Sequence, residues 1–403
     1  MSTKELRNLQ VVEQVRSGQL TSLEAAARLD VTDRTVRRWK ALVAEQGAQG
    51  LTHASRGQVS PRRISPSERQ HILKLIQAQY LDFGPTLVAE KLVELHGITR
   101  DPTTVRDLMV SEGLWIPRSK RTGWRSVVHR KWRERRAHRG ELVQFDGSYH
   151  SWFEGRGGLA ETCLLAAIDD ATGQLLRLRF APHEGTLPVM GFWTEYARKQ
   201  GLPKEIYLDR FSTYKMTQQV AQENPDLKTQ LQRAMDTLGV KLIFALSPQA
   251  KGRVERLFKT LQDRLVKELR LRNISSVTAA NQFLDQHFVQ DFNKKFSCTP
   301  REPTDFHRLL SIREQQALPE TLCRMEQRVT QHDFTLSFKA QWYQLLPTRG
   351  LAIRPKDIVL VREYPEHTLS FSIRGKQALV KPIAKSQERR SSARQLAQTL
   401  VPT

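Results

Sequence analysis

Between Glu141 and Leu271, short apolar runs alternate with helix-period stretches, and their order restricts the fold more than any other feature of the chain. Leu142 to Phe153, Cys163 to Ile168 and Leu175 to Phe180 read as three strands, with the turn Asp170-Ala-Thr-Gly-Gln between the last two. Thr186 to Gln200 has helical spacing and Ile206 to Leu208 is a short strand. An inserted amphipathic stretch follows from Glu223 to Leu238, then a strand from Lys241 to Leu246 and a long helix from about Arg253 to Leu271. Three antiparallel strands followed by helix and strand alternation predict an α/β sheet of mixed strand direction.

Three carboxylates occupy telling places in that pattern. Asp146 closes the run Glu141-Leu-Val-Gln-Phe, Asp209 ends Glu205-Ile-Tyr-Leu, and Glu255 lies in Ser247-Pro-Gln-Ala-Lys-Gly-Arg-Val-Glu. An acid at the exit of a buried strand stands where sheet meets solvent, a position suited to a metal ligand. Clustered acids raise one another's pKa unless a divalent cation neutralises them. In the long helix, Val254, Leu257, Phe258, Leu261, Leu265 and Leu269 form the apolar stripe, and Glu255 falls off it. Two metal ions held by such acids could activate water or a 3′-hydroxyl and stabilise the leaving oxygen of a phosphodiester, which is the chemistry of cutting and joining DNA.

Charge points to the same partner. Lys and Arg outnumber Asp and Glu by 64 to 42, a formal net charge of +22, and such an excess gives salt-sensitive attraction to a phosphate backbone. No apolar run approaches the roughly 18 residues of a membrane span, and the start of the chain lacks a signal-peptide core. The expectation is a cytoplasmic protein, with no membrane partner, that associates with the nucleoid when bound to DNA. Cys163, Cys298 and Cys323 are too few and scattered for a disulfide framework or a zinc site.

The segment Leu20 to Lys40 reads as two short helices around a tight turn, the helix-turn-helix pattern. Leu23, Ala26, Ala27 and Leu29 are expected to make one apolar face, Asp30-Val31 the turn, and Thr32 the N-cap of a helix that points Val36 and Trp39 inward. Asp33, Arg34, Thr35, Arg37 and Arg38 then face outward, where the start of such a helix meets a major groove. After a turn-rich linker, residues 62–116 read as a second module of the same kind, with Thr103-Thr104-Val105-Arg106 opening its last helix. Residues 117–139 form a basic connector, and from Trp115 to Arg139 the rings of Trp115, Trp124 and Trp132 interleave with basic side chains, Arg125, Arg130 and Lys131 among them. Beyond Pro300, Thr335-Leu-Ser-Phe, Trp342-Tyr-Gln-Leu-Leu, Ile358-Val-Leu-Val, Leu369-Ser-Phe-Ser-Ile and Ala378-Leu-Val suggest short strands of a small β-barrel.

Phe145-Asp146-Gly-Ser, Leu164-Leu-Ala-Ala-Ile-Asp-Asp-Ala-Thr-Gly, Tyr207-Leu-Asp209 and Ser247 through Glu255 to Lys259 resemble the catalytic core of DDE transposases and retroviral-type integrases. The order of the whole chain resembles bacterial insertion-sequence transposases of the ISNCY kind. The resemblance implies a ribonuclease-H-like catalytic core at 140–300, a helix-turn-helix domain at 1–50, a second at 62–116, a small β-barrel at 325–385 and a basic tail at 386–403. It also implies two Mg²⁺ or Mn²⁺ ions held by Asp146, Asp209 and Glu255, nicking at the element's ends, and attack of the freed 3′-hydroxyl on target DNA. Lys259 matches the position of a DNA-contacting lysine in integrases, and Lys251 and Arg253 flank the loop that approaches DNA. Two departures stand out: the 46 positions from Asp209 to Glu255 (255 − 209) exceed the family's usual spacing, and Gln262 replaces a basic residue.

The partners expected are double-stranded DNA, as element ends and target, and further copies of the chain in a dimer or larger assembly; no partner ATPase is indicated. The rival from another class is a catalytically idle DNA-binding regulator derived from a transposase. A metal-dependent ribonuclease of the same fold is disfavoured, since helix-turn-helix units read duplex grooves that A-form RNA does not offer. Asp169 and Asp170 are read as turn residues, Glu268 as a surface charge, and His150 and His183 as structural.

Overall fold

The computed structural model describes residues 1–52, 56, 63–117, 134–208, 229–244 and 252–384. The chain divides into two compact units, Met1–Trp124 and Arg125–Thr403.

The first unit is helical. Helices α1 (Thr3–Arg16), α2 (Ser22–Leu29) and α3 (Asp33–Gln46) each begin at a hydroxyl N-cap, Ser2, Thr21 and Thr32, which satisfies backbone donors that the helix start leaves orphaned. Asp30 turns the chain between α2 and α3 in the left-handed region, φ 53°, which a short polar side chain tolerates. Val11, Val15, Ala25, Ala26 and Val36 close the core. The expected inner face of α2 is corrected here: Leu23 and Ala27 are exposed, and Ala25 packs inward instead. Three consecutive alanines leave the period ambiguous, and contact with the neighbouring helices decides the rotation. The second module follows as α4 (Pro66–Gln79), α5 (Pro85–His96) and α6 (Pro102–Ser111). Each starts with proline in its first turn, where the missing N–H costs nothing.

The second unit is built on a five-stranded sheet: β1 (Leu142–His150), β2 (Thr162–Asp169), β3 (Leu175–Ala181), β4 (Glu205–Leu208) and β5 (Lys241–Phe244). The spatial order is β3-β2-β1-β4-β5. β1, β2 and β3 pair antiparallel, while β4 and β5 run parallel to β1, so the expected mixed sheet is present. Its first strand stops at His150; Trp152 and Phe153 turn away and bury their rings near Phe180.

Alternation assigns the two faces. Val143, Phe145, Leu165, Ile206 and Leu208 pack with α7 (Thr186–Gln200) and α8 (Gln230–Leu238). Leu164, Ala166, Ile168 and Phe180 pack on the other side with the long helix α9 (Gly252–Leu271). A helix without counterpart among the sequence-based expectations runs from α10 (Val277–Phe283) through a π-helical turn (Leu284–Phe288) into α11 (Val289–Phe296). It lies along the edge strand β3, where Asn281 and Asn293 bond the outward backbone groups of Phe180 and Leu175.

After α12 (Ile312–Thr321) come seven short strands: β6 (Arg324–Val329), β7 (Thr335–Phe338), β8 (Gln341–Leu345), β9 (Ile358–Glu363), β10 (Leu369–Ile373), β11 (Lys376–Ala378) and β12 (Val380–Ile383). They form a four-stranded sheet, β11-β10-β9-β6, and a three-stranded sheet, β12-β8-β7. Both contribute to one core around Leu336, Leu345, Val359, Val361 and Phe371. The expected small β-barrel is not found closed among the described residues: the ladders of the two sheets do not join.

Candidate functional site

The face of β1 turned toward α9 carries Gln144, Asp146 and Ser148, because successive side chains on a strand alternate. Asp146 lies opposite Ala166 of β2, half-buried, at the point where β1 passes from buried to partly exposed positions. Glu255 is exposed in the first turn of α9, at the margin of the buried stripe of Val254, Leu257, Phe258 and Leu261.

Two contacts fix how helix and strand run beside each other. At the far end Gln262 Nε2 donates to Ser148 Oγ at 3.4 Å. At the near end Arg253 forms an ion pair with Asp170, whose carboxylate also accepts from Gln144 Nε2 at 2.8 Å. Asp146 therefore lies between the two tethered positions of β1, and Glu255 between the two tethered positions of α9. Both acids offer carboxylate oxygens, the hard donors that Mg²⁺ and Mn²⁺ take. Among the described residues no group of three or more His, Cys, Asp and Glu side chains gathers at a metal-binding distance; Asp209, with Lys251, lies outside the described residues.

A further carboxylate that sequence reasoning missed stands close by. Glu184, just before α7, has its carboxylate against Gly147; a Cβ there would meet Glu184 Oε2 at 2.5 Å, so a larger residue beside Asp146 would displace the Glu184 carboxylate. The Glu184 backbone N–H donates to Tyr149 Oη at 2.9 Å. Burial, reinforced by the Glu184 and Asp146 carboxylates, pushes the neighbouring Cys163 thiol up to about 12. Nothing in the spacing of the chain announces Glu184, since it comes from a loop 38 positions beyond Asp146 (184 − 146).

Asp169 and Asp170 are both fully buried. Asp169 fits the turn reading through one oxygen, which accepts from Thr172 N and Oγ1 at 2.8 and 2.7 Å, while its Oδ1 accepts from the distant Gly140 N at 2.9 Å. Asp170 exceeds it, since its partners lie on β1, on α9 and at Arg136. Glu268, expected as a surface charge, is corrected here: only 12% of its side chain is exposed, and it pairs with Arg272 just beyond α9.

The candidate DNA contacts separate by environment. Arg34, Arg37 and Arg38 are exposed on α3, with Arg37 paired to Asp33 at 2.8 Å. Thr35 is drawn into the helix cap through Thr32, hydroxyl to hydroxyl at 2.9 Å. Arg106 is exposed at the start of α6 and Lys259 is exposed one turn after Glu255. Arg253, by contrast, has only 17% of its side chain exposed. Arg125, Arg130 and Lys131 lie outside the described residues.

Helical modules followed by an acid-bearing mixed sheet define a DNA-binding protein with an α/β core. Residues 9–58 match the profile of a helix-turn-helix domain and residues 35–109 that of a homeodomain-like domain. The chain belongs to the insertion-sequence transposases. It is 38% identical over 358 residues to a Sinorhizobium fredii protein named as a transposase, y4bF, covering 88% of this chain and 76% of that one. It is 28% identical over 397 residues to the transposase for insertion sequence IS1202 of Streptococcus pneumoniae, covering 89% of this chain and 80% of that one.

Solved structures give distant likenesses. A simian T-cell lymphotropic virus intasome in complex with the PP2A regulatory subunit B56 gamma matches with a TM-score of 0.33 at 12% identity, over 78% of this chain and all of that one. The HTLV-2 integrase catalytic core domain in complex with magnesium matches with a TM-score of 0.31 at 15% identity, over 42% of this chain and 98% of that one. No helix among the described residues is long and apolar enough to cross a membrane.

Proposed function

We propose that this transposase binds the ends of its own mobile element, cleaves their 3′ ends and joins them to target DNA, using Asp146, Asp209 and Glu255 in a ribonuclease-H-like core. The observation that carries this reading is the register of β1 against β4. Leu142 pairs with Glu205 and Gln144 with Tyr207, an offset of 63 positions (205 − 142), and the same 63 separate Asp146 from Asp209 (209 − 146). The described register ends at Gln144 and Tyr207, and this equal spacing in the sequence is what supports Asp209 as the partner of Asp146.

The three acids would hold two Mg²⁺ or Mn²⁺ ions, which when bound neutralise the phosphodiester and lower the pKa of the attacking hydroxyl. The chain's own residues do the rest. Asp146 on a sheet strand and Glu255 on a packed helix stand on rigid elements, so their oxygens need little reorganisation when a phosphate arrives. Exposed Lys259 beside Glu255 would take a phosphate of the bound strand, and Arg34, Arg38 and Arg106 would hold the duplex at the helix-turn-helix modules. Concerted joining needs two ends, hence a dimer or larger assembly on DNA.

The test is nicking and joining of labelled DNA carrying the sequence that flanks the gene, with Mg²⁺ or Mn²⁺, by wild type and Glu255→Gln. Metal-dependent cleavage and joining by the wild type alone supports the assignment. Binding without cleavage by either protein would favour the idle regulator, and cleavage by the variant would remove Glu255 from the reaction.

A further inference from the structure

We propose that Asp170 is a positioning residue for the candidate acids: one buried carboxylate that ties the strand carrying Asp146 to the helix turn carrying Glu255. The proposal rests on the reading of those acids given above.

Asp170 follows β2 at the hairpin and is fully buried. Its backbone N–H donates to Leu142 O at 3.0 Å, which fastens the hairpin to the start of β1. One carboxylate oxygen, Oδ1, accepts from Gln144 Nε2 at 2.8 Å and pairs with the Arg253 guanidinium. The other, Oδ2, accepts from Arg136 N at 2.9 Å. Gln144 shares a strand face with Asp146, two residues away; Arg253 precedes Glu255 by two residues in the first turn of α9. The same atom, Asp170 Oδ1, thus meets a group next to each acid.

The chemistry of the site gives this link its purpose. The first turn of a helix has no intrahelical acceptor for its N–H groups and frays readily, and Glu255 lies in that turn. A buried carboxylate is stable only with its charge paired and its lone pairs filled, so Asp170 keeps Arg253 in one place. The far end of the helix face is held separately by Gln262 and Ser148. Removing the near tether leaves α9 packed through its apolar stripe while its first turn loosens, and a displacement on the order of 1 Å at a reacting group costs about 100-fold in rate.

The test uses the full chain and the variants Arg253→Met, Arg253→Lys and the double variant Asp170→Asn/Arg253→Met, in which neither charge is left buried alone. Amide hydrogen exchange is read along α9, together with metal-dependent nicking and binding of the gene-flanking DNA. In Arg253→Met and the double variant, the amides of Arg256 and Leu257 should exchange about tenfold faster while those of Leu265 and Leu269 stay protected. Nicking should fall about 100-fold with DNA binding retained, and Arg253→Lys should recover most of both losses. Unchanged or uniformly raised exchange along α9 would overturn the tether. Loosened exchange with nicking at the wild-type rate would leave Asp170 structural only, and loss of DNA binding in Arg253→Met would make Arg253 a DNA contact. Should the wild type nick with neither metal, the reading of the acids fails, and with it the positioning role, while the exchange pattern still decides whether the tether exists.

Discussion

Gln262 Nε2 bonds Ser148 Oγ at 3.4 Å, across the gap between α9 and β1. Gln262 stands two helical turns beyond Glu255, and Ser148 two residues beyond Asp146, so the pair extends the line of the two acids. Gln262, standing where the resemblance to integrases implies a basic residue, is therefore used inside this chain. Gln262→Ala and Ser148→Ala should each destabilise by about 0.5–1 kcal/mol, with a double variant costing less than their sum. Urea unfolding of the four proteins checks this; strict additivity would mean that the contact carries no energy.

The edge of the sheet is sealed by side chains instead of another strand. Asn293 bonds both Leu175 N and O at 2.7 and 2.8 Å, and Asn281 bonds Phe180 N and O at 2.8 and 3.1 Å. The two asparagines are 12 residues apart, which in an uninterrupted α-helix leaves them about 120° out of phase. The wider turn at Leu284–Phe288 takes up much of that difference. Asn281→Leu and Asn293→Leu should each cost about 1–3 kcal/mol, because backbone groups at an edge are left unpaired. They should also increase aggregation, as exposed edges do. Denaturant midpoints and light scattering read both effects; wild-type values in the two variants would show the seal to be dispensable.

His307 predicts a pH dependence. Its Nε2 and Tyr196 Oη share a hydrogen bond at 2.7 Å and its Nδ1 donates to Asp305 Oδ1 at 2.7 Å; a neutral ring with the proton on Nδ1 satisfies both when the Tyr196 hydroxyl donates to Nε2. Burial lowers its pKa from 6.5, outweighing the neighbouring Asp305 carboxylate. The unfolded chain then takes up the proton first, so the stability due to His307 is complete above pH 6.5 and is lost as pH falls through the lowered value. Melting temperatures measured below pH 6.5 should drop more steeply for wild type than for His307→Gln; parallel curves would remove His307 as the cause.

The cysteines should differ in reactivity. Cys163 is buried with its thiol held protonated up to about 12, Cys323 is buried, and Cys298 is exposed. A thiol reagent at neutral pH should label one site in the native protein, and Cys298→Ser should abolish it, because the thiolate is the reacting form. For Cys163 the folded pKa is raised, so its stabilisation is present below pH 9.0 and fades between there and about 12. Labelling of Cys163 in the folded protein at neutral pH would contradict the packing around Asp146.

Salt dependence distinguishes the arginines of α3. Arg34→Ala and Arg38→Ala should each reduce the slope of log binding constant against log salt by about 0.9 for DNA carrying the element ends. Arg37→Ala should reduce it less, since Arg37 is already paired with Asp33. Equal slopes in wild type and all three variants would exclude α3 from the phosphate backbone.

Periodicity and charge determined much of this protein directly. The strands, the helix-turn-helix pattern and the long helix with Glu255 beside its apolar stripe follow from local spacing, because side-chain direction repeats every two or 3.6 residues. Chain order decided less. The rotation of α2 depended on its neighbours, and the C-terminal strands were legible singly while their grouping into two sheets was not. Asp170 looked like a turn residue because the turn is local, whereas its partners Gln144, Arg136 and Arg253 lie 26, 34 and 83 positions away. Glu184 and the asparagine seal were silent for the same reason. Their roles exist only where folding has brought distant polar groups together, and for the fully buried Asp170 burial makes each unpaired atom costly enough to choose its partner.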